Sequence, residues 1–264
     1  MQTKIGTRFS GADWATELRT VSLIGLGGIG SWLALNLGRI GHEIVLYDGD
    51  TIDETNVLGG QMYQMDQLGT NKAQGVRNLC ASMGCNNTWH LMRRMFDDKD
   101  IPELITITGL DNMAARKLAY ERWLYTISQE PENADQAIFM DGRLNLEMME
   151  IITLQGNNPD HIREYREKYL FDDKEVEDIE CTVKQSTFAA MGIACLMTAT
   201  LCNWLTNKKL GMDFREVPMY QRLILPICNY KTEEYGSGKE ERREATVLPV
   251  EEPRVFQAAV DTAV

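Results

Sequence analysis

Val21-Ser-Leu-Ile-Gly-Leu-Gly-Gly-Ile-Gly-Ser31 runs from a short apolar stretch straight into a glycine cluster. Residues 21–24 have strand character. Gly25 then permits a tight turn, Gly27 lets backbone approach a phosphate, and Gly30 allows a helix to pack closely on the strand, with Gly28 between them. From Ser31 to Ile40 the spacing turns helical, with Leu33, Leu37 and Ile40 on one face. Glu43 to Tyr47 is β-rich again and ends at Asp48. Strand, glycine turn, helix and strand make a βαβ unit, which implies parallel pairing. The helix N-terminus offers free N–H groups and a partial positive charge to an anion. Asp48 stands about where a carboxylate grips a ribose hydroxyl. The unit therefore indicates a nucleotide, and an NAD-dependent oxidoreductase would look the same up to this point.

Working outward, Leu104 to Leu110 reads as a strand running into Asp111-Asn112, and Ala137 to Met140 as another running into Asp141-Gly142. Met113 to Ser128 between them reads as a helix. Glu147 to Leu154 clusters β-branched Ile151, Ile152 and Thr153 and reads as a further strand. The expected fold is α/β and Rossmann-like: a mostly parallel sheet extended by antiparallel strands, with helices on both faces. Asn157 to Glu180 is dense in charge and reads as an exposed crossing segment, partly helical from Pro159 to Tyr169. Ser186 to Leu205, rich in Ala, Met and Cys, reads as a buried helix, and Cys195 and Cys202 on it are expected in the core. Residues 1–230 are expected to form one domain, and 231–264 a polar, flexible tail.

The chain has 264 residues, 44% of them hydrophobic, enough for one sizeable core. A net charge of −12 argues against nucleic acid, because phosphate-backbone binding needs clustered Lys and Arg. No stretch reaches the roughly 18 continuous apolar residues of a membrane span, so no membrane partner is expected. Residues 1–8 lack the apolar centre of a signal peptide. The six cysteines contain no Cys-x-x-Cys pair, so no structural zinc is expected. Scattered thiols without a secretion signal point to a reducing, cytoplasmic setting.

The residues after the βαβ unit separate the two nucleotide readings. Asp50, Asn56, Gln61 and then Gly69-Thr-Asn-Lys72 follow Asp48. A triphosphate gives Lys72 a purpose, as a compact charge on the β- or γ-phosphate, and Asn56 and Gln61 can donate amide hydrogens to phosphate oxygens. Asp111, at the carboxyl end of a parallel strand, would face the ligand crevice. A lone carboxylate there suits magnesium held partly by ATP itself. The competing reading makes Asp111 the cap of the helix that starts near Met113.

In combination, Gly25-x-Gly27-x-x-Gly30, Asp48-x-Asp50, Asn56, Gln61, Gly69-x-x-Lys72 and Asp111-Asn112-x-x-x-Arg116 resemble the ThiF/MoeB/ubiquitin-activating enzyme family over about residues 8–205. The resemblance implies an ATP-dependent adenylyltransferase, with Asp48 on the ribose, Lys72 on the phosphates and Asp111 on Mg2+. It implies as substrate the free C-terminus of a ubiquitin-like or sulfur-carrier protein. Arg8-Phe-Ser-Gly is similar to the family's N-terminal segment, which implies a homodimer in which Arg8 serves the partner's ATP. Cys181 falls at the junction where some family members keep a nucleophilic cysteine, which would place a covalent acyl capture there. One departure stands out. The family's Asn-x-x-Arg-Gln is here Asn56-Val-Leu-Gly-Gly-Gln61, one residue longer and without the arginine, and Arg143 is a candidate replacement. A carboxylate is already ionised near pH 7, so adenylation needs no general base; the three histidines sit in unrelated contexts. The alternatives are an NAD-dependent oxidoreductase on the same turn and a catalytically reduced scaffold that partners an active enzyme.

Overall fold

The computed structural model describes residues 9, 11–171 and 186–233. Arg8, Cys181 and the residues from 234 onward therefore lie outside the described residues. Eight strands form one sheet: β1 (Thr20–Ile24), β2 (Glu43–Tyr47), β3 (Trp89–Met92), β4 (Ile105–Thr108), β5 (Ile138–Asn145), β6 (Met148–Gln155), β7 (Tyr220–Ile224) and β8 (Asn229–Glu233), in the spatial order β3-β2-β1-β4-β5-β6-β7-β8. The pairs from β3 to β5 are parallel, and those from β5 to β8 are antiparallel. The sheet thus begins parallel and gains antiparallel strands later, as the sequence led us to expect. It also continues past residue 230, because β8 runs to Glu233.

Period-two alternation sends the central strands' side chains to two separate cores. Val21, Leu23, Ile44, Leu46, Ile105, Ile107, Ile138 and Met140 face one core. There they meet α1 (Gly28–Ile40), α3 (Lys72–Ser82) and α6 (Thr187–Leu210). Val45, Tyr47, Phe139, Ile152 and Leu154 face the other core, against α4 (Met113–Gln129) and the segment after α5 (Pro159–Glu164). Trp123 of α4 is fully buried there, and its indole N–H donates to the Leu104 carbonyl at 2.9 Å. Full burial of such a side chain contributes about 2–3 kcal/mol. Caps set the helix ends: Ser186 caps α6, Asn112 caps α4, and left-handed Gly41 and Gly211 end α1 and α6.

Two expectations need correction. Cys195 is exposed, whereas Cys202 is buried. The seven-residue spacing puts both on one side of α6. Among the described residues, the return segment bonds to the C-terminal half, through Asn203 to the Glu216 carbonyl and Asn207 to the Arg215 carbonyl, and so lies on the side of Cys202. The strand expected to stop at Met140 continues to Asn145, carrying Asp141 and Arg143 inside the sheet.

Candidate functional site

The strand order reverses between β1 and β4, and in such sheets ligands bind outside the carboxyl ends of the strands at that reversal. The glycine loop sits there. Gly25 adopts φ +86°, and a Cβ added at Gly30 would lie 1.9 Å from the Gly25 carbonyl oxygen. No other residue fits that position. At Gly27 a Cβ would meet nothing within 4 Å, so this face of the loop is open to a ligand's approach. Gly27 also caps α1 without any side-chain bond, leaving the first-turn amides of Gly28 and its neighbours without a side-chain partner. Uncapped amides beside an open backbone fit a phosphate chain.

The loop is held from three directions. Asp48 accepts from the Leu26 N–H at 2.7 Å and from the Asp50 N–H at 2.9 Å, and burial raises its pKa. Both oxygens keep a lone pair for a ribose hydroxyl. Tyr63 donates to the Leu26 carbonyl at 2.6 Å, and the Ser31 hydroxyl accepts from the Met62 N–H at 3.0 Å. The sequence reading missed Tyr63 and Ser31; an aromatic placed shortly after Gln61 was the only available signal. On the other side, a Cβ at Gly109 would meet Ile29 and the Gly30 N–H at 3.1–3.2 Å, so the turn after β4 abuts the start of α1.

Lys72 opens α3 and is 8% exposed; its Nζ lies 3.0 Å from Asp50 Oδ2. Asn71 caps α3 and donates to the Asp48 and Asp50 carbonyls at 3.0 and 3.1 Å, which ties Lys72 to the end of β2. Lys72 therefore stands at the end of β2 beside Asp48, its charge balanced by the half-exposed Asp50.

Asp111 is not the cap of α4. The residue that caps α4 is Asn112, whose Oδ1 accepts from the Ala115 N–H at 2.8 Å while its Nδ2 donates to Asp111 Oδ1 at 3.1 Å. Asp111 is left exposed and free of capping duty. Among the described residues, no group of three or more His, Cys, Asp or Glu side chains is assembled around a common point. One carboxylate fits a hard cation that keeps its waters and takes its other ligands from phosphate oxygens.

The segment without the family's arginine has a local explanation. Asn56 accepts from the Asp53 N–H at 3.1 Å, closing a capping box on α2 (Glu54–Leu58). Gly59 ends that helix, and Gly60 follows at φ +87°. A Cβ at Gly60 would lie 2.2 Å from the Thr187 hydroxyl of α6. The extra glycine lets this segment dock on α6 where an arginine would not fit. Gln61 keeps its amide oxygen buried without a partner among the described residues. Arg143 does not replace the arginine: it donates to Asp141 Oδ2 at 2.8 Å and to the Tyr169 carbonyl at 2.7 Å. All three histidines lie outside the crevice. His42 is buried where β2 begins, His90 sits on edge strand β3 with Glu43, and His161 is on α5. A cavity of about 440 Å3 lined by Gln155, His161 and Arg215 opens where β6 ends and shares no residue with the crevice.

The structure thus brings together the glycine loop, Asp48, Asp50, Lys72, Asp111 and Asn112, with Asn56 and Gln61 on the adjoining segment. Solved structures share this architecture. PaaA matches with a TM-score of 0.61 at 16% identity, over 84% of this chain and 66% of that one. Escherichia coli MccB in complex with ATP matches with a TM-score of 0.59 at 15% identity, again over 84% and 66%. MccB with MccA-N7isoASN gives 0.62 at 14% identity, with the same coverage. The chain spans just under two thirds of the length of these relatives. No curated protein sequence matches it. The sequence profile of the ThiF family matches residues 11–211, most of the chain and all of the described crevice. By that match, this chain belongs to the ThiF family.

Proposed function

We propose that this protein adenylates a carboxylate with ATP. The acyl carboxylate attacks the α-phosphorus, the bond to the leaving pyrophosphate breaks, and an acyl-adenylate forms. The observation that carries this reading is Asp111, released from helix capping by Asn112 at the edge of the glycine loop. Asp48 would hold the ribose and Lys72 the phosphates, with Gly27, Gly28, Asp50, Asn56, Gln61 and Asn112 lining the nucleotide. Magnesium, when bound, neutralises charge on the phosphates. The chain's own residues orient the reactants and supply fixed positive charge.

The acyl substrate in this reading is the free C-terminus of a ubiquitin-like or sulfur-carrier protein, met in the cytoplasm. The similar MccB has been crystallised with N-formylated MccA, which supports a separate chain as substrate. Covalent capture would follow on Cys181. A homodimer with Arg8 acting across it is supported by an exposed apolar stripe on α6, where Phe188 is 57% and Met191 42% exposed beside Cys195. The end of α2, which meets α6 at Gly60 and Thr187, adds Leu58. Light scattering should give a dimer that Phe188→Asp splits; a monomeric wild type with full turnover would defeat both the dimer and the Arg8 role.

Calorimetry with ATP and with NAD, followed by ATP–pyrophosphate exchange with the acyl partner, tests the reading as a whole. Tight NAD binding without ATP binding would sink it in favour of an oxidoreductase, although none of the three histidines lies in the crevice to serve such an enzyme. ATP binding without exchange would favour the scaffold alternative, which the glycine pair at 59–60 in place of an arginine supports.

A further inference from the structure

Asp141 lies on β5 opposite Thr108, the last residue of β4, and is fully buried. Its two oxygens receive Arg116, the Thr108 hydroxyl at 3.2 Å, Arg143 at 2.8 Å and the Tyr165 hydroxyl at 3.0 Å. Burial alone would raise the pKa of this carboxyl, but Arg116 and Arg143 outweigh it and hold the group ionised. A buried ion cluster of this kind adds little stability over well-packed apolar residues, so its stability does not explain why Arg116 is there. Its hydrogen bonds are more informative. Held at one end by Asp141, the guanidinium also donates to the Gly142 carbonyl at 3.2 Å and to the Leu110 carbonyl. Leu110 immediately precedes Asp111. The turn is thus pinned before Asp111 by Arg116 and after it by the Asn112 cap, while the Asp111 carboxylate stays exposed.

We propose that Arg116, anchored on Asp141, is a positioning residue that fixes the Asp111 carboxylate for the metal of the adenylation site. The inference rests on the adenylation reading for its purpose, but not for its geometry. A planar guanidinium can span a carboxylate and two carbonyls at fixed angles, which a lysine ammonium cannot do. Groups that orient a metal ligand typically matter 10- to 100-fold in metal affinity.

The test compares Arg116→Lys, which keeps a charge on Asp141 but loses the fork, with Tyr165→Phe, which removes a donor from the same carboxylate without touching Leu110. Two readouts are taken on the full chain. The first, without ligand, is amide-exchange protection at Gly109 and Ala115, the bonded N–H groups that bracket the turn. The second is the magnesium concentration that half-saturates the enhancement of ATP binding in calorimetry. Arg116→Lys should lower protection at both amides and raise the magnesium half-saturation about tenfold. Tyr165→Phe should lower the melting temperature with both readouts at wild-type values. Equal melting losses in the two variants, with unchanged protection and unchanged magnesium dependence, would reduce Arg116 to a structural residue and overturn the proposal. Lowered protection in Arg116→Lys, with no magnesium-dependent ATP binding even in the wild type, would leave the clamp standing as a turn-fixing device. The positioning of a metal ligand would then be overturned together with the adenylation reading.

Discussion

Taking the protein from pH 7 to pH 4 should cost it stability through one side chain in particular, His42. The imidazole is fully buried at the start of β2, with Nδ1 accepting from the Arg19 N–H at 3.2 Å and Nε2 left without a partner among the described residues. Burial pushes its pKa from 6.5 down to about 4. The folded protein therefore holds His42 neutral in a range where the unfolded chain protonates it. Stability from this group is fully present above pH 6.5 and is lost as pH falls towards 4. A depression of that size corresponds to about 3 kcal/mol at the acid end, or about 10 °C in melting temperature for a domain of this size. His42→Asn keeps an acceptor for the Arg19 N–H but cannot titrate. The assay is thermal unfolding of both proteins at half-unit steps from pH 7 to pH 4, reading the difference between them so that carboxylates common to both cancel. The wild type should lose ground to the variant steadily below pH 6.5. Parallel curves over the whole range would refute the reasoning, since His42 would then titrate alike in both states. ATP affinity at pH 7 should match between the two, because His42 precedes β2 while the crevice lies beyond the strands' other ends.

Gly30→Ala should cut ATP affinity about 100-fold with a smaller loss of stability, because the added Cβ meets the Gly25 carbonyl oxygen at 1.9 Å and deforms the loop; calorimetry showing unchanged affinity would contradict that geometry. Asp111→Ala should lower pyrophosphate exchange about 100-fold or more while the fold's melting temperature holds, since the side chain is exposed and caps nothing. Cys181→Ala should leave exchange largely intact and abolish any reductant-sensitive adduct with the acyl partner, because the adenylate forms before a thiol acts; a surviving adduct would assign the capture to another cysteine.

The parts of this fold that were legible in the sequence are those where a local rule and the tertiary environment agree. The glycine loop, α1 and the alternating residues of β1 and β2 could be placed because backbone geometry and burial ask for the same residues. Strand β6 showed through its β-branched cluster. Asp141 and Arg143 misled, because charges in sequence close an apolar strand, whereas in space they neutralise each other and β5 continues through them. Edge strand β3 and the outer strands β7 and β8 carry polar residues on half-exposed or exposed faces and have no strong period to read. At the site, sequence order alone assigned Lys72 and Asp111 to one crevice. The division of labour between Asp111 and Asn112 needed three dimensions, because either residue type can cap a helix and only the geometry selects one.

The lateness of α6 in the chain has a consequence for synthesis. Its 187–210 segment packs on α1, β5 and β6, so a nascent chain leaves that part of the sheet face exposed until α6 has emerged. The helix itself is apolar enough to pass for a membrane span by length and composition, though it packs against the sheet in the finished protein. The exposed face thus waits from the end of β6 to the end of α6, a span of about 3–11 seconds at ordinary elongation rates. Ribosome-associated chaperones would find their substrate in that interval, and slowing elongation between β6 and α6 should lower the soluble yield without altering the finished protein.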